Sequence, residues 1–174
     1  MSTAGHTDGA NRVSAAPGMG SGVKQRDKIK MTQEEIDEFL QGWHTMSCAT
    51  INHDGTIHLV AMWYGFLEGA PALETKAKSQ KVQNLRRNPQ ITCLVEDGES
   101  YDQLRGVEMV GRAEIVEEPD RIFQMGISIV ERTSGQKYTE EMRPAVEMMI
   151  NKRVGVKIHV EKYVSWDHRK LGSG

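Results

Sequence analysis

The sequence has few of the features that mark disulfide-rich or membrane-spanning proteins. Its 174 residues include only two cysteines, Cys48 and Cys93, which lie in separate apolar runs and form no C-x-x-C unit. Two such thiols favour buried, reduced core residues and a cytoplasmic location. No apolar run approaches the ~20 residues that span a bilayer, and the N-terminus lacks the apolar segment of a secretory signal. We therefore expect no membrane partner.

An excess of charge of one sign is also lacking. The 22 lysines and arginines nearly balance the 24 aspartates and glutamates, which leaves a net charge of −2. No overall field would therefore draw the protein to nucleic acid, and any bound anion must be held by a local cluster of cations. The histidines show neither H-x-x-x-H nor H-E-x-x-H spacing, and no G-x-S-x-G motif is present. The sequence thus predicts neither a metal centre nor a serine hydrolase.

The composition divides the chain into a polar tail and one domain. Residues 1–28 are rich in small and polar residues and contain no aromatic residue, so we expect a disordered N-terminal tail. Residues 29–174 have the length and composition of a single domain. Within it, Thr32 and Glu35 form a capping box that predicts a helix over 33–41, which Gly42 ends.

Strand-like segments dominate the rest of the domain. Asp54-Gly55 between two β-rich runs indicates a hairpin, and Gly111 inside a long strand marks a bulge or a close backbone approach. The predicted strands are 46–51, 56–66, 72–75, 91–96, 107–116 and 153–164, and the remaining predicted helices are 79–87, 119–131 and 140–150. Consecutive strands with little helix between them favour an antiparallel meander or barrel.

The turn between the strand ending at Thr75 and the helix beginning near Ser79 is the first candidate site. It brings together hydroxyl groups, the first N–H groups of a helix and three lysines, Lys76, Lys78 and Lys81. A phosphate group needs this combination of oriented donors and positive charge. The alternative, that Ser79 is only an N-cap and the lysines are a solvated face, remains open.

Two further segments are candidates. The strand from Val60 to Tyr64 ends on two aromatic residues and could offer backbone groups to a flat heterocycle, or its Trp63 and Tyr64 could be core or dimer contacts. The C-terminal Trp166 and Arg169 either cover a bound group or belong to a surface tail.

Taken in order, these motifs resemble the pyridoxamine-phosphate-oxidase-like split barrels, and more closely the F420-dependent branch of the flavin/deazaflavin oxidoreductases. The resemblance covers residues 29 to 171. The motifs that carry it are Ala49-Thr50-Ile51, Asp54-Gly55, His58 to Tyr64, Thr75, Ser79-Gln80-Lys81, Asn84 to Pro89, Arg105-Gly106-Val107, Gly111 to Glu114 and Ser165 to Arg169. It implies a mainly β domain of the α+β class with a six-stranded antiparallel split β-barrel, the FMN-binding split-barrel type.

The resemblance also implies which residues bind the cofactor. The phosphate-binding turn would consist of Thr75, Ser79, Gln80 and Lys81, with Lys76 and Lys78 beside it. The strand along the ring of the cofactor would consist of Val60, Ala61, Met62 and Trp63, and Trp166 and Arg169 would close over it. In such homodimers the site lies at the interface, so Tyr101, Arg105 and Gly106 would come from the other subunit.

The implied function is hydride transfer between reduced deazaflavin coenzyme F420 and a small organic acceptor such as an enone, a quinone-like molecule or a tetrapyrrole. The FMN-using pyridoxamine phosphate oxidases carry a glutamine where this chain has Gly106, and they end on an arginine-rich motif that is absent here. An FMN-dependent oxidase or reductase and a non-catalytic cofactor-binding dimer remain alternatives. No catalytic side chain is assigned, although Tyr101 and His44 are candidates for a proton donor.

Overall fold

The computed structural model of the protein describes residues 25–42 and 45–172, which form seven strands and five α-helices. The helices are α1 (Gln25–Lys28), α2 (Gln33–Gln41), α3 (Gln80–Arg87), α4 (Pro119–Ser134) and α5 (Arg143–Ile150). The strands are β1 (Met46–Ile51), β2 (Ile57–Met62), β3 (Gly65–Leu67), β4 (Ala70–Lys76), β5 (Gln90–Asp97), β6 (Arg105–Val116) and β7 (Arg153–Asp167). Short 3-10 helices span Glu140–Met142 and His168–Leu171.

All seven strands belong to one antiparallel sheet in the order β2-β1-β5-β6-β7-β4-β3. The sheet curls into a half-barrel, and the long strands β6 and β7 form its spine. This agrees with the α+β split-barrel type, but the count of six strands was wrong. The predicted strand 56–66 is in fact two strands, β2 and β3, which lie at opposite edges of the sheet.

The interruption at Trp63 and Tyr64 has a clear physical cause. Tyr64 turns into the core, where it is 1% exposed and its hydroxyl donates to the Leu40 carbonyl at 2.7 Å. Gly65 then passes so close to α4 that a Cβ there would lie 2.8 Å from the Ser128 hydroxyl oxygen. The chain therefore leaves β2 in order to pack against α4, and the side-chain alternation of one continuous strand is lost.

The interior of the half-barrel is filled by alternate residues of the strands. Met46, Cys48, Cys93, Val95 and Met109 lie inside it, since residues two apart on a strand share one face. Helix α2 covers this core with Ile36, Phe39 and Leu40. A second apolar cluster lies beneath α4 and consists of Leu67, Ala72, Val116, Ile122, Met125 and Ile129.

Several local predictions are confirmed. The Thr32 hydroxyl accepts from the Glu35 N–H while the Glu35 carboxylate accepts from the Thr32 N–H, so the capping box is complete. The bulge at Gly111 is also present, because Gly111 pairs with Val160 while Val110 pairs with Lys162, which leaves Glu161 of β7 as the extra residue. A Cβ at Gly111 would collide with the carbonyl of His159.

The predicted disordered tail, residues 1–28, extends too far, because Gln25–Lys28 form α1. Residues 1–24 and the candidate proton donor His44 lie outside the described residues. Where the helices are described, none is long and apolar enough to cross a membrane.

Arg132 of α4 joins the end of α2 to the start of β3. Its guanidinium donates to the carbonyls of Leu40 at 3.0 Å, Gln41 at 3.1 Å and Gly42 at 2.8 Å, and to the Tyr64 carbonyl at 3.0 Å. It also lies 4.3 Å from the centre of the Tyr64 ring. One side chain thereby neutralises the negative end of α2 and fixes the backbone that follows Trp63.

Candidate functional site

The turn between β4 and α3 forms a compact polar cradle, which we define as Thr75, Ser79 and Lys81. The Lys81 ammonium donates to the Thr75 hydroxyl at 3.1 Å, and the Thr75 hydroxyl donates to that of Ser79 at 3.3 Å. Thr75 is buried because β4 pairs with the first residues of β7 at this point. Three side chains within seven residues of sequence are thus held at one helix end.

Helix α3 presents its N-terminal N–H groups to this cradle. Ser79 occupies the N-cap position, yet its side chain makes no capping hydrogen bond. The first helical bond of α3 is donated by Gln83 to the Ser79 carbonyl, so the N–H groups of Gln80, Lys81 and Val82 precede it. Of the two interpretations of Ser79, the structure therefore disfavours a purely structural N-cap. Free N–H donors beside hydroxyls and an ammonium suit a phosphate group.

Lys81 is unusual because a charged ammonium is almost fully enclosed. It is 8% exposed, and its pKa is lowered chiefly by burial. Glu74 and Cys48 lie near enough to oppose this shift, whereas Arg153 adds to it. Glu74 itself pairs with Arg153 at 2.9 Å, and burial raises the pKa of its carboxyl. An anionic ligand would compensate the buried positive charge of Lys81.

Sequence reasoning missed the contact of the α5–β7 connection with the cradle turn. The Lys152 carbonyl accepts from the Ala77 N–H at 3.4 Å, and Arg153, the first residue of β7, pairs with Glu74. Lys152 adopts a left-handed backbone with φ of 59°, which a non-glycine residue adopts rarely. Local sequence patterns held no signal for this contact, because the two turns are far apart in the chain.

The other predicted residues around the cradle are exposed. Exposure of Lys76 and Lys78 fits the solvated face that the sequence left open as an alternative. Gln80 is exposed as well, and its amide donates to Asn84 at 2.9 Å.

The Asn84 to Pro89 motif positions the hairpin next to the cradle. Asn84 is completely buried and donates to the Thr50 hydroxyl at 3.0 Å and to the Asn52 side chain at 2.9 Å. Arg87 donates to the Ile51 carbonyl at 2.5 Å. These bonds tie α3 to the end of β1, so the motif acts as an anchor and Asn84 is a further residue on which the site depends.

Strand β2 forms one edge of the sheet and alternates in exposure along its length. Val60 and Met62 face the core side opposite Cys48 and Met46, whereas Ala61 faces outward. Leu59 is 66% and Trp63 59% exposed, and Ile57 lies on the same outer face. The two aromatic residues therefore have different roles. Tyr64 is a core residue, whereas Trp63 is exposed and remains available to a ligand or a second protein surface.

The remaining predicted residues gather at the far end of β6 and β7, in a group that we call the distal cluster: Tyr101, Arg105, Gly106, Trp166 and Arg169. A Cβ at Gly106 would overlap the Trp166 ring, so the indole lies against the bare backbone of Gly106. Asp97 pairs with Arg105 at 2.7 Å, and Asp167 pairs with Arg169 at 2.6 Å.

Tyr101 joins the distal cluster through His168. The two rings pack edge to face with centres 4.4 Å apart, and the His168 Nδ1 lies 2.8 Å from the Tyr101 carbonyl oxygen. A polar cavity of about 400 Å³ opens beside the cluster and is lined by Phe39, Arg105 and Arg169 together with Met31, Glu35, Glu38, Gly42 and Asp167.

The cradle and the distal cluster are well separated in one protomer. Thr75 pairs with Val154 near the start of β7, whereas Gly106 pairs with Trp166 near its end. The twelve residue steps from Val154 to Trp166 correspond to a path of roughly 40 Å along the curled strand, at about 3.3 Å per residue. One chain therefore does not assemble all the predicted residues into a single site.

Comparisons with known proteins identify relatives in sequence and in fold. A family model described as pyridoxamine 5′-phosphate oxidase matches residues 32–167. A conserved hypothetical protein from Mycobacterium tuberculosis is 52% identical, with a TM-score of 0.82 over 87% of this chain and 94% of the other. A structure described as an F420 reductase is 26% identical, with a TM-score of 0.57 over 74% of this chain and 94% of the other.

A heme storage protein from Vibrio cholerae shares the fold at 16% identity, with a TM-score of 0.60 over 79% of this chain and 96% of the other. No curated protein gives a significant match.

Proposed function

The chain belongs to the pyridoxamine 5′-phosphate oxidase family, and from this premise we propose that it is an oxidoreductase that binds coenzyme F420 as a homodimer. The proposed reaction is hydride transfer between the reduced cofactor and a small organic acceptor. The single observation that carries the proposal is the cradle, where a buried ammonium, two hydroxyls and the N–H groups of α3 converge.

The charge around the cradle favours F420 over FMN. One phosphate would be accommodated by Lys81 and the helix end, since both oriented donors and a positive charge are present there. Lys76, Lys78 and Lys152 extend the positive surface beyond that point. A cofactor with a further acidic tail, such as F420, would use these exposed lysines, whereas FMN carries no group to meet them.

A homodimer would bring the cradle of one protomer close to the distal cluster of its partner. The outer face of β2 exposes Ile57, Leu59 and Trp63, an apolar edge that a second copy could cover. Because Trp166 lies on Gly106, the distal cluster moves as one unit, so we infer that the partner contributes all of it rather than Tyr101, Arg105 and Gly106 alone.

In this arrangement the residues of the chain bind and orient, and they exclude water. When bound, reduced F420 supplies a hydride to the acceptor. The cradle would hold the phosphate, the backbone from Val60 to Trp63 would lie along the ring, and the indole of Trp166 would limit the access of water. No side chain of the described residues needs to act as an acid for this role.

The deciding experiment titrates the purified protein separately with F420 and with FMN and follows cofactor fluorescence. Replacing Lys81 by methionine removes a charge-assisted bond to phosphate, which is worth about 1.5–3 kcal/mol, so we expect a roughly 10- to 100-fold weaker affinity. Lys137→Met is the matched control, because that side chain is 92% exposed and pairs only with Glu131 at 3.6 Å.

Each outcome of the titration supports a different function for this protein. Preference for F420 that Lys81→Met weakens supports the proposal, and preference for FMN moves the function to a flavin oxidase or reductase. Turnover with reduced cofactor and a panel of enones, quinones and tetrapyrroles then separates an enzyme from a non-catalytic cofactor-binding dimer. If Lys81→Met and Lys137→Met bind equally well, the cradle is not the phosphate site.

A further inference from the structure

The two cysteines, distant in sequence, are direct neighbours in the sheet. Cys48 of β1 lies opposite Cys93 of β5, and their sulfur atoms are 3.7 Å apart. The residues are 1% and 0% exposed, and both are free thiols. Because the two cysteines lie in separate apolar runs, the sequence favoured two unrelated core thiols. The fold instead places them side by side on neighbouring strands.

The geometry of the pair is compatible with a disulfide. Directly opposed residues of antiparallel strands have Cα atoms about 4.5–5.5 Å apart, and disulfides span Cα distances of about 4.4–6.8 Å. The sulfur atoms would have to approach from 3.7 Å to about 2.05 Å, a change that side-chain rotation can supply without moving the strands past each other.

The two sulfurs occupy unequal environments. The Cys93 thiol donates to the Cys48 sulfur, and this bond together with burial raises the pKa of Cys93 well above its usual value. The Cys48 thiol donates to the Met46 carbonyl at 3.9 Å. The raised pKa of Cys93 disfavours its thiolate form, which is the nucleophile in thiol oxidation. Cys48 is therefore the sulfur suited to react first, and Cys93 follows.

We propose that Cys48 and Cys93 form an oxidisable dithiol that hydrogen peroxide converts into an intramolecular disulfide. The Cys48 thiolate attacks the peroxide O–O bond and becomes a sulfenic acid, and one water leaves. The Cys93 sulfur then displaces the sulfenic hydroxyl as a second water, so two thiols and one peroxide give one disulfide and two waters. Peroxide is small and uncharged, so a local opening of the edge beside β2 admits it.

The test treats the reduced full-length protein with hydrogen peroxide, quenches it with catalase and then alkylates it in denaturant. Because the ten methionines also take up oxygen, the disulfide is identified by thiol count and peptide mapping rather than by total mass. We expect the loss of both alkylatable thiols, their recovery with dithiothreitol, and a cross-linked peptide pair. Cys48→Ser and Cys93→Ser are matched controls, and neither should form the intramolecular link.

Three results would each refute the dithiol: two thiols that remain alkylatable, sulfinic acids without a disulfide, or links between chains. The test uses the protein without any ligand, so its outcome is independent of the proposed function.

Discussion

Replacing Arg132 by methionine tests whether one side chain holds α2, α4 and the β2–β3 junction together. Methionine keeps much of the apolar stem and removes the guanidinium. Four hydrogen bonds to carbonyl oxygens are then lost, with distances of 2.8–3.1 Å. The contact of the guanidinium with the Tyr64 ring, 4.3 Å away, is lost as well.

The cost can be worked out from the surroundings of each acceptor. A hydrogen bond to a charged group contributes about 1.5–3 kcal/mol when its partner cannot be replaced by water. Gln41 is exposed and Gly42 partly so, and water can replace the guanidinium at both. The Leu40 carbonyl retains the Tyr64 hydroxyl, whereas the Tyr64 carbonyl loses its side-chain donor. We therefore expect the free energy of unfolding to fall by about 2–4 kcal/mol, well short of the sum of four bonds.

Urea unfolding followed by tryptophan fluorescence, at one fixed protein concentration, measures this change. A loss of that size lowers the melting temperature by roughly 5–15 °C for a domain of this length. Arg143→Met is the control, since Arg143 pairs with Glu140 at the surface and stacks on Phe123, and exposed pairs contribute under about 1 kcal/mol. If Arg132→Met unfolds within 0.5 kcal/mol of the wild type, a threshold set by ordinary surface substitutions of about that size, the junction is not held by Arg132.

Three other predictions concern packing, charge and assembly. Gly106→Ala forces a methyl group into the Trp166 ring, so we expect a loss of about 1–3 kcal/mol of stability and a changed near-ultraviolet circular dichroism signal; an unchanged signal would show that the indole does not rest there. The bond from Lys157 and a neighbouring arginine lower the pKa of Glu68 from 4.5 to about 2. Because the folded pKa is depressed, the stabilisation is present above pH 4.5 and is lost as the pH falls toward 2. Glu68→Gln should therefore be less stable than the wild type in urea at pH 7 and equal to it near pH 2, and a gap that persists at low pH would contradict this. Leu59→Glu should convert a dimer into a folded monomer in sizing chromatography with light scattering, and a wild-type monomer would remove the shared site.

Elements fixed by neighbours in sequence could be predicted. The capping box of α2 lies within four residues, and the hairpin between β1 and β2 follows from Asp54-Gly55. The cradle belongs to the same class, since Thr75, Ser79 and Lys81 fall within seven residues. Their local spacing indicated a phosphate-binding turn because strand end, helix start and cations are all visible in one short segment.

Features that depend on distant contacts could not be predicted. Tyr64 has the composition of a strand residue, and only its bond to Leu40 and the approach of α4 show why β2 ends before it. The Lys152 carbonyl accepts a backbone hydrogen bond from Ala77, which lies in the turn between Thr75 and Ser79, although the two residues are far apart in the chain. The same holds for the pairing of Cys48 with Cys93, which periodicity assigns to the core but cannot assign to each other.

The bulge at Gly111 also restricts where β7 can change in length. Because Glu161 is the extra residue, Val160 and Lys162 pair with the adjacent residues Gly111 and Val110 and therefore lie on opposite faces, although they are two apart in the chain. Val160 and Tyr163 accordingly both pack against the core. Deleting Glu161 would restore regular alternation, and Trp166 would keep its place opposite Gly106. Deleting one residue elsewhere in β7 would instead turn the residues on one side of the deletion to the opposite face. A loss of one residue from this strand can thus be absorbed at the bulge without inverting the C-terminal residues.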